Sequence, residues 1–169
     1  MEAVRVVVMG VSGCGKSTIG SALAERLDVP FLEGDSLHPP RNIELMRSGV
    51  ALTDDDRRDW LDAIAARLQA IPHDASLVIS CSALKRNYRD RLRQACPDLL
   101  FVHLHGTRNT IAKRMALRNH LYMPTTLLTS QLDTLEVPQA DESALTLDIE
   151  TPAPSLVRCI IQHLQEHHA

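Results

Sequence analysis

Residues 10–17 read GVSGCGKS and fit G-x-x-x-x-G-K-[ST], a loop whose backbone N–H groups surround phosphates. Glycine allows backbone conformations that turn several N–H groups towards one anion. We expect Lys16 to reach the β- and γ-phosphates of a nucleotide and the Ser17 hydroxyl to bind Mg²⁺. The predicted nucleotide site comprises Gly10, Gly13, Cys14, Gly15, Lys16, Ser17 and Thr18. Cys14 fits either a reactive thiol beside a helix N-terminus or, as we favour, a small side chain at a variable position of the motif.

An acidic residue follows the second apolar segment, in FLEGDSLHP at 31–39. In a parallel α/β sheet the carboxyl ends of the strands face one crevice, so we expect Asp35 to lie near the γ-phosphate. A carboxylate there can orient a substrate hydroxyl, accept its proton, or hold a water on Mg²⁺. The alternative is that Asp35 caps the helix predicted over 40–49.

Several cations also follow predicted strand ends or turns. Arg41 comes after the turn 38–40, Arg57 after an acidic run, and Lys85 and Arg89 lie one helical turn apart. Such a set suits an acceptor that carries its own negative charge. The alternative is a solvated surface, which is our interpretation of Arg86, Arg91 and Arg93.

A second pair of cations precedes a break in helical periodicity. Arg114 and Arg118 are four residues apart and lead into NHLYMP at 119–124, so we predict a lid over about 114–124. Arginines on a closing lid neutralise charge on a transferring phosphoryl group. An exposed helix face is the alternative.

Apolar segments of strand length alternate with segments of helical periodicity along the chain. Strands are predicted at 4–10, 29–35, 76–82, 99–106 and 144–150, and helices at 17–27, 40–49, 54–71, 84–96, 110–118, 125–136 and 153–167. Strands that are apolar on both faces are typical of a parallel sheet covered by helices. We therefore predict a single α/β domain over 1–169 with a five-stranded parallel sheet.

Composition narrows the class of protein. The chain has 169 residues, 44% hydrophobic and 23% charged, with a net charge of −3 and no basic block, which argues against a nucleic-acid partner. No apolar stretch approaches the ~20 residues that span a bilayer. The four cysteines form no CxxC pair, and no signal peptide is visible, so we expect reduced thiols in a cytoplasmic protein.

The remaining motifs separate the classes that use such a phosphate loop. No N-K-x-D motif for guanine is present, and the third predicted strand ends in VISCSALK without an acid. These absences argue against a GTPase or a motor ATPase. The residues favour a kinase that phosphorylates a hydroxylated, negatively charged small molecule.

At this point the chain resembles the gluconokinase family over about residues 6–150. The resemblance lies in MGVSGCGKST, GDSLHPPRNIELMRSGVALTDDDRRDWL, CSALKRNYRDRLR and LLTSQLDTLEVPQADE. It implies ATP as phosphate donor, Mg²⁺ as cofactor, the 6-hydroxyl of D-gluconate as acceptor, and a homodimer. The implied fold is the three-layer α/β/α sandwich of P-loop kinases with a lid.

The resemblance also assigns roles by matching motifs. Lys16 and Ser17 serve phosphate and metal, Asp35 orients or deprotonates the hydroxyl, and Arg114 and Arg118 belong to the lid side. The residues implied for the sugar acid are Asp35, His38, Arg41, Arg57, Lys85, Arg89 and Gln131.

One segment departs from the family pattern. Members read R-x-G-H-F-M-P before the lid, whereas this chain reads RNHLYMP at 118–124, which places Leu121 where the family has histidine. Ala51 stands where proline is usual. Two alternatives stay open: a kinase for another hydroxy acid, such as an idonate-like sugar acid or shikimate, and a non-catalytic ATP-binding module.

Overall fold

The computed structural model describes residues 2–117 and 126–167. All five predicted strands are confirmed, and each is two to four residues shorter than predicted. They are β1 (Arg5–Met9), β2 (Phe31–Glu33), β3 (Leu77–Ser80), β4 (Leu100–His105) and β5 (Ala144–Asp148).

The helices also follow the predicted order. They are α1 (Lys16–Leu27), α2 (Pro40–Arg47), α3 (Asp54–Gln69), α4 (Arg86–Ala95), α5 (Arg108–Ala116), α6 (Leu127–Thr134) and α7 (Ala153–His167). A 3₁₀ turn, Gly34–Leu37, joins β2 to α2 and was not predicted. None of these helices is long and apolar enough to cross a membrane.

The sheet is parallel throughout, in the order β2-β3-β1-β4-β5. Val6 of the central strand pairs with Val78 of β3 on one side and with Leu100 of β4 on the other. Because the strands are parallel, the loops after β1, β2 and β3 all emerge at the same edge. That edge carries the phosphate loop, Asp35 and Ser82.

The sheet is covered on both faces, which makes three layers. Val6 and Val8 point into a core that includes residues of α1 and α7. Val7 and Met9 point to the opposite core, which includes residues of α3 and α4. Because successive β1 side chains alternate between these two cores, Val6, Val7, Val8 and Met9 are all apolar.

The start of α3 is fixed by a capping box. The Thr53 hydroxyl accepts a hydrogen bond from the Asp56 amide, and the Asp56 carboxylate accepts one from the Thr53 amide. Three aspartates in the first turn add a favourable interaction with the helix dipole. This start places Arg57 and Trp60 on the first two turns, where both are buried and face the sheet edge.

Candidate active site

The phosphate loop connects β1 to α1 and depends on glycine at two positions in particular. Gly13 has φ 83°, and a Cβ there would lie 2.6 Å from the Met115 side chain. Gly15 has φ 99° and borders open space, because a Cβ built there meets nothing within 4 Å among the described atoms. Within the described chain no side chain caps the first turn of α1. The loop therefore offers helix N–H groups to an anion.

Lys16 and Ser17 begin α1 beside this loop. Lys16 Nζ donates a hydrogen bond to the Val11 carbonyl at 3.0 Å, so the ammonium folds over the loop itself. Ser17 Oγ donates to Glu33 Oε2 at 2.5 Å, and Ser80 Oγ donates to Glu33 Oε1 at 2.5 Å. The Glu33 carboxylate thus stands beside the hydroxyl predicted to bind Mg²⁺.

Glu33 is a residue that sequence reasoning missed. It ends β2, two residues before Asp35, and so reaches the same sheet edge. The signal was present in the sequence, because an acid at the end of a short strand of a parallel sheet faces the crevice. Hard oxygen donors from Ser17 and Glu33 are a ligand chemistry that suits Mg²⁺.

Asp35 lies in the 3₁₀ turn and lines a pocket together with Lys16. The alternative role as a helix cap is wrong, because the N-cap of α2 is Pro39. The Asp35 carbonyl accepts a hydrogen bond from the His38 amide at 3.2 Å, which closes the turn. The Asp35 side chain remains 40% exposed and faces the pocket.

His38 is held against an aromatic wall of the pocket. Its ring stacks on Trp60 with centroids 4.2 Å apart and an interplanar angle of 13°. Trp60 Nε1 donates to the Gly34 carbonyl at 2.9 Å and so anchors the turn that carries Asp35. Burial lowers the pKa of His38 to about 4, against the opposing effect of the nearby Asp35 carboxylate. His38 is therefore neutral at physiological pH.

The pocket brings together five residues predicted from sequence: Lys16, Asp35, His38, Arg57 and Gln131. Arg57 is buried and donates to the Tyr88 hydroxyl at 3.1 Å, while Gln131 Oε1 accepts from the Ser12 amide at 2.7 Å. The lining residues that were not predicted are Ser12, Met46, Ala51, Leu52, Trp60, Ser82, Leu127 and Ser130. Most are small or apolar, and no motif in the sequence marks them as pocket residues.

Three predicted substrate cations, Arg41, Lys85 and Arg89, lie outside this lining. Arg41 points to solvent with 76% of its side chain exposed and pairs with Asp56 at 3.2 Å. Lys85 pairs with Asp54 at 3.0 Å and borders a separate surface depression with Thr129 and Glu136. Arg41 and Lys85 are each already paired with a carboxylate at the start of α3, which accounts for their orientation.

Arg89 is the clearest correction. We expected it to contact the substrate, but its side chain is fully buried and forms an ion pair with Glu142, Nε to Oε1 2.7 Å. Its remaining donors reach the Ala83 and Leu84 carbonyls at 2.9 and 3.3 Å. The guanidinium is thus bound within the protein and holds the loop after β3 in place.

The residues predicted to bind the nucleotide have different environments in the structure. The Cys14 side chain is buried, and burial raises the pKa of its thiol, so the reactive-thiol interpretation is not supported. Thr18 is exposed on the first turn of α1. Arg114 donates to the Ile149 carbonyl at 2.7 Å and does not line the pocket. Arg118 and most of the predicted lid, including Leu121, lie outside the described residues.

The fold and the site define a P-loop kinase of small molecules. Residues 12–157 match the family model described as shikimate kinase. A shikimate kinase from Aquifex aeolicus shares the fold at 16% identity and a TM-score of 0.59 over 98% of each chain. The all-parallel sheet with helices on both faces is common to these proteins.

More similar proteins narrow the family. The thermoresistant gluconokinase of Escherichia coli K12 is 44% identical over 95% of this chain and 93% of its own. The gluconokinase of Gluconobacter oxydans is also 44% identical, over 95% and 90%. A gluconokinase crystal structure from Sinorhizobium meliloti 1021 is 49% identical, covers 92% and 87%, and has a TM-score of 0.83. The chain belongs to the gluconokinase family, which confirms the resemblance found in the sequence.

Proposed function

We propose that this kinase transfers the γ-phosphoryl group of ATP to the 6-hydroxyl of D-gluconate, giving 6-phospho-D-gluconate and ADP. The observation that carries the proposal is that Lys16 and Asp35 line one pocket with Arg57. This arrangement combines a phosphate-loop cation, a hydroxyl-binding carboxylate and a second cation for an acidic acceptor. The identity of 44% with two gluconokinases supports the choice of sugar acid.

The phosphate loop fits the donor side of this reaction. Its glycines turn backbone N–H groups inward, and the open N-terminus of α1 favours negative charge. Lys16, which rests on the Val11 carbonyl, is within reach of phosphates bound in the loop. Its ammonium would stabilise charge on the transferring group.

Ser17 and Glu33 would hold Mg²⁺, Ser17 through its hydroxyl and Glu33 directly or through water. When bound, the ion neutralises phosphate charge and orients the transferring group. Glu33 is itself oriented by Ser80 and Ser17, so the carboxylate is positioned before a metal arrives.

The acceptor side rests on the residues around Asp35. Its carboxylate orients the acceptor hydroxyl and takes the proton as the new bond to phosphorus forms. Arg57 supplies positive charge for the substrate carboxylate, and Gln131 and Ser130 supply polar contacts at the opposite wall. On the nucleotide side, the proposal includes a lid over about 114–124. Its residues Arg114 and Arg118 would neutralise charge on the transferring phosphoryl group.

The match of residues 12–157 to the shikimate kinase model makes shikimate a second candidate acceptor. A coupled ADP-release assay with ATP and Mg²⁺ should compare D-gluconate, idonate, gulonate and shikimate. The proposal predicts the highest kcat/KM for D-gluconate. Equal or higher kcat/KM for another acid contradicts the substrate assignment, and absence of transfer to every acid favours a non-catalytic nucleotide-binding module.

A homodimer and a cytoplasmic location complete the proposal. The location is supported by Cys14, Cys81, Cys96 and Cys159, which are all free thiols, as expected in a reducing compartment. The homodimer rests on the family resemblance. Light scattering on the eluted protein would test it, with a mass of twice 18.7 kDa as the expected result.

A further inference from the structure

Asn42 is a buried residue of α2 that does not line the acceptor pocket but contacts His38, which does. It is 1% exposed, and its amide nitrogen Nδ2 lies 2.7 Å from the Asp56 carbonyl oxygen. The same nitrogen lies 3.2 Å from His38 Nδ1. Asn42 therefore links the capping turn of α3 to the histidine that lines the pocket.

These two contacts determine which hydrogen-bonding roles are available. A backbone carbonyl only accepts, so the group that faces Asp56 must be the donating NH₂ of Asn42. The second hydrogen of that NH₂ then points at His38 Nδ1, which accepts it with a lone pair. A neutral imidazole that accepts at Nδ1 carries its own proton at Nε2.

The surroundings of His38 keep the ring neutral. One face packs on Trp60, and the side chain is 4% exposed. The charged groups that act on it are Asp35, which favours the imidazolium, and Arg57, which opposes it. Burial is the largest of the three effects and lowers the pKa of His38 to about 4. The tautomer set by Asn42 is thus the form present at neutral pH.

We propose that Asn42 is a positioning residue that fixes His38 as the Nε2–H tautomer, so that His38 presents a hydrogen-bond donor to the acceptor pocket beside Asp35. This inference rests on the proposed function, because it takes the pocket to be the site of a polyhydroxy acid. It also predicts how that acid is oriented in the pocket.

The orientation of the acid follows from the distance between His38 and Asp35. His38 Nε2 and Asp35 Oδ1 are 3.9 Å apart, which is too long for a direct hydrogen bond, and both residues line the pocket. One substrate oxygen lying to the side of the line that joins the two atoms can contact both of them. That oxygen must accept from His38 and donate to Asp35. A hydroxyl satisfies both, whereas a carboxylate has no proton to donate and is repelled by Asp35. The Asp35–His38 side therefore selects a hydroxyl and directs the substrate carboxylate towards Arg57.

Nitrogen chemical shifts test the tautomer directly. Two-bond ¹H–¹⁵N correlation spectra of the ¹⁵N-histidine-labelled full chain at pH 7.5 distinguish protonated from unprotonated ring nitrogens, and His38→Gln assigns the signal. The expected pattern is a neutral ring with Nε2 protonated and Nδ1 bare. A ring protonated at Nδ1, or at both nitrogens, overturns the proposal. This result does not depend on turnover, so it is separable from failure of the proposed function.

Asn42→Asp tests the role of the amide in catalysis. The variant keeps the side-chain shape but replaces the donor with an acceptor, so His38 is expected to gain a proton at Nδ1. We expect kcat/KM for D-gluconate to fall about tenfold or more, with the KM for ATP within about twofold. Asn87→Asp, an exposed change of the same kind on α4, is the matched control and should behave as the unmodified chain. An Asn42→Asp protein that keeps both the His38 spectrum and the kcat/KM overturns the proposal.

Discussion

Arg89 and Glu142 form an ion pair that is sealed from solvent, with Arg89 Nε 2.7 Å from Glu142 Oε1 and neither side chain exposed. Arg93 reaches the same Oε1 at 2.7 Å. Because Arg89 also donates to the Ala83 carbonyl, the pair fixes the loop after β3, and Ser82 of that loop lines the pocket. The pair therefore supports the site without contacting it.

Removing one partner of the Arg89–Glu142 pair should destabilise the folded protein. Arg89→Met leaves Glu142 buried without the two hydrogen bonds from Arg89 Nε and Nη2, and we expect the free energy of unfolding to fall by about 3 kcal/mol or more. Urea denaturation followed by circular dichroism measures it. The matched control is Arg91→Met, whose exposed pair with Asp62 should contribute less than about 1 kcal/mol. Equal losses in the two variants would show that the buried pair is dispensable.

The same pair should make stability depend on acid pH. Burial by itself raises the pKa of Glu142, but hydrogen bonds from Arg89, the Gln139 amide and Arg93 outweigh it and lower the pKa to about 2. A lowered carboxyl pKa stabilises the fold above the unfolded value of about 4.3 and loses that contribution as pH falls towards 2. We expect Glu142→Gln to be less stable at pH 7 and to lose less between pH 4.5 and 2.5. Equal slopes of stability against pH would contradict this.

His103 should contribute a second pH dependence, at milder pH. Within residues 2–117 and 126–167 no hydrogen-bond partner reaches its buried Nδ1. Burial lowers the pKa of His103 to about 4, with His105 and Arg89 acting in the same direction. The unfolded chain binds this proton near pH 6.5, so stability is lost as pH falls from about 6.5 to 4.

His103→Leu removes this proton and fills the same buried space. We expect the loss of unfolding free energy between pH 7 and pH 4.5 to shrink by on the order of 1 kcal/mol, with the share due to His38 remaining. Urea titrations at the two pH values measure it. His105→Leu is the control, since His105 is exposed on the same strand. A loss unchanged from the parent protein would contradict the burial argument.

Gly34 is required for the position of Asp35. A Cβ at Gly34 would lie 2.1 Å from the Ser80 carbonyl oxygen, and backbone cannot yield as a side chain does. We expect Gly34→Ala to displace the turn and to lower kcat/KM for D-gluconate by about tenfold or more. Gly20→Ala is a useful comparison, because the three atoms nearest to its Cβ would all belong to the Phe31 ring, a side chain that can move aside. Full activity in Gly34→Ala would show that the turn tolerates the shift.

The sheet could be predicted from sequence because its three inner strands, β3, β1 and β4, are buried along almost their whole length. Val6–Met9 of β1 are all apolar, and β1, β2 and β4 are each followed directly by a glycine. The phosphate loop and Asp35 were located for the same reason, since parallel strands place their following loops at one edge. The local sequence pattern and the parallel topology were sufficient to predict the strands, the phosphate loop and the position of Asp35.

Side-chain direction was not predictable in the same way. Arg89 pairs with Glu142, 53 residues away, and Lys85 pairs with Asp54, 31 residues away. Helical spacing placed Lys85 and Arg89 one turn apart but carried no information on such distant partners. Asn42 and Trp60 were missed because their roles depend on contacts with His38 and Gly34 that form only in the folded chain.

Asp35 has the central role in the proposed reaction, because it orients the acceptor hydroxyl and takes its proton. The direct test is the initial rate of ATP-dependent phosphorylation of D-gluconate by Asp35→Asn at saturating Mg²⁺, with the ATP Kd measured in parallel. We predict that kcat falls by about 10²-fold or more while the ATP Kd is unchanged, because the amide keeps the shape of the side chain but cannot take the proton. Retention of the full transfer rate by Asp35→Asn would contradict the account.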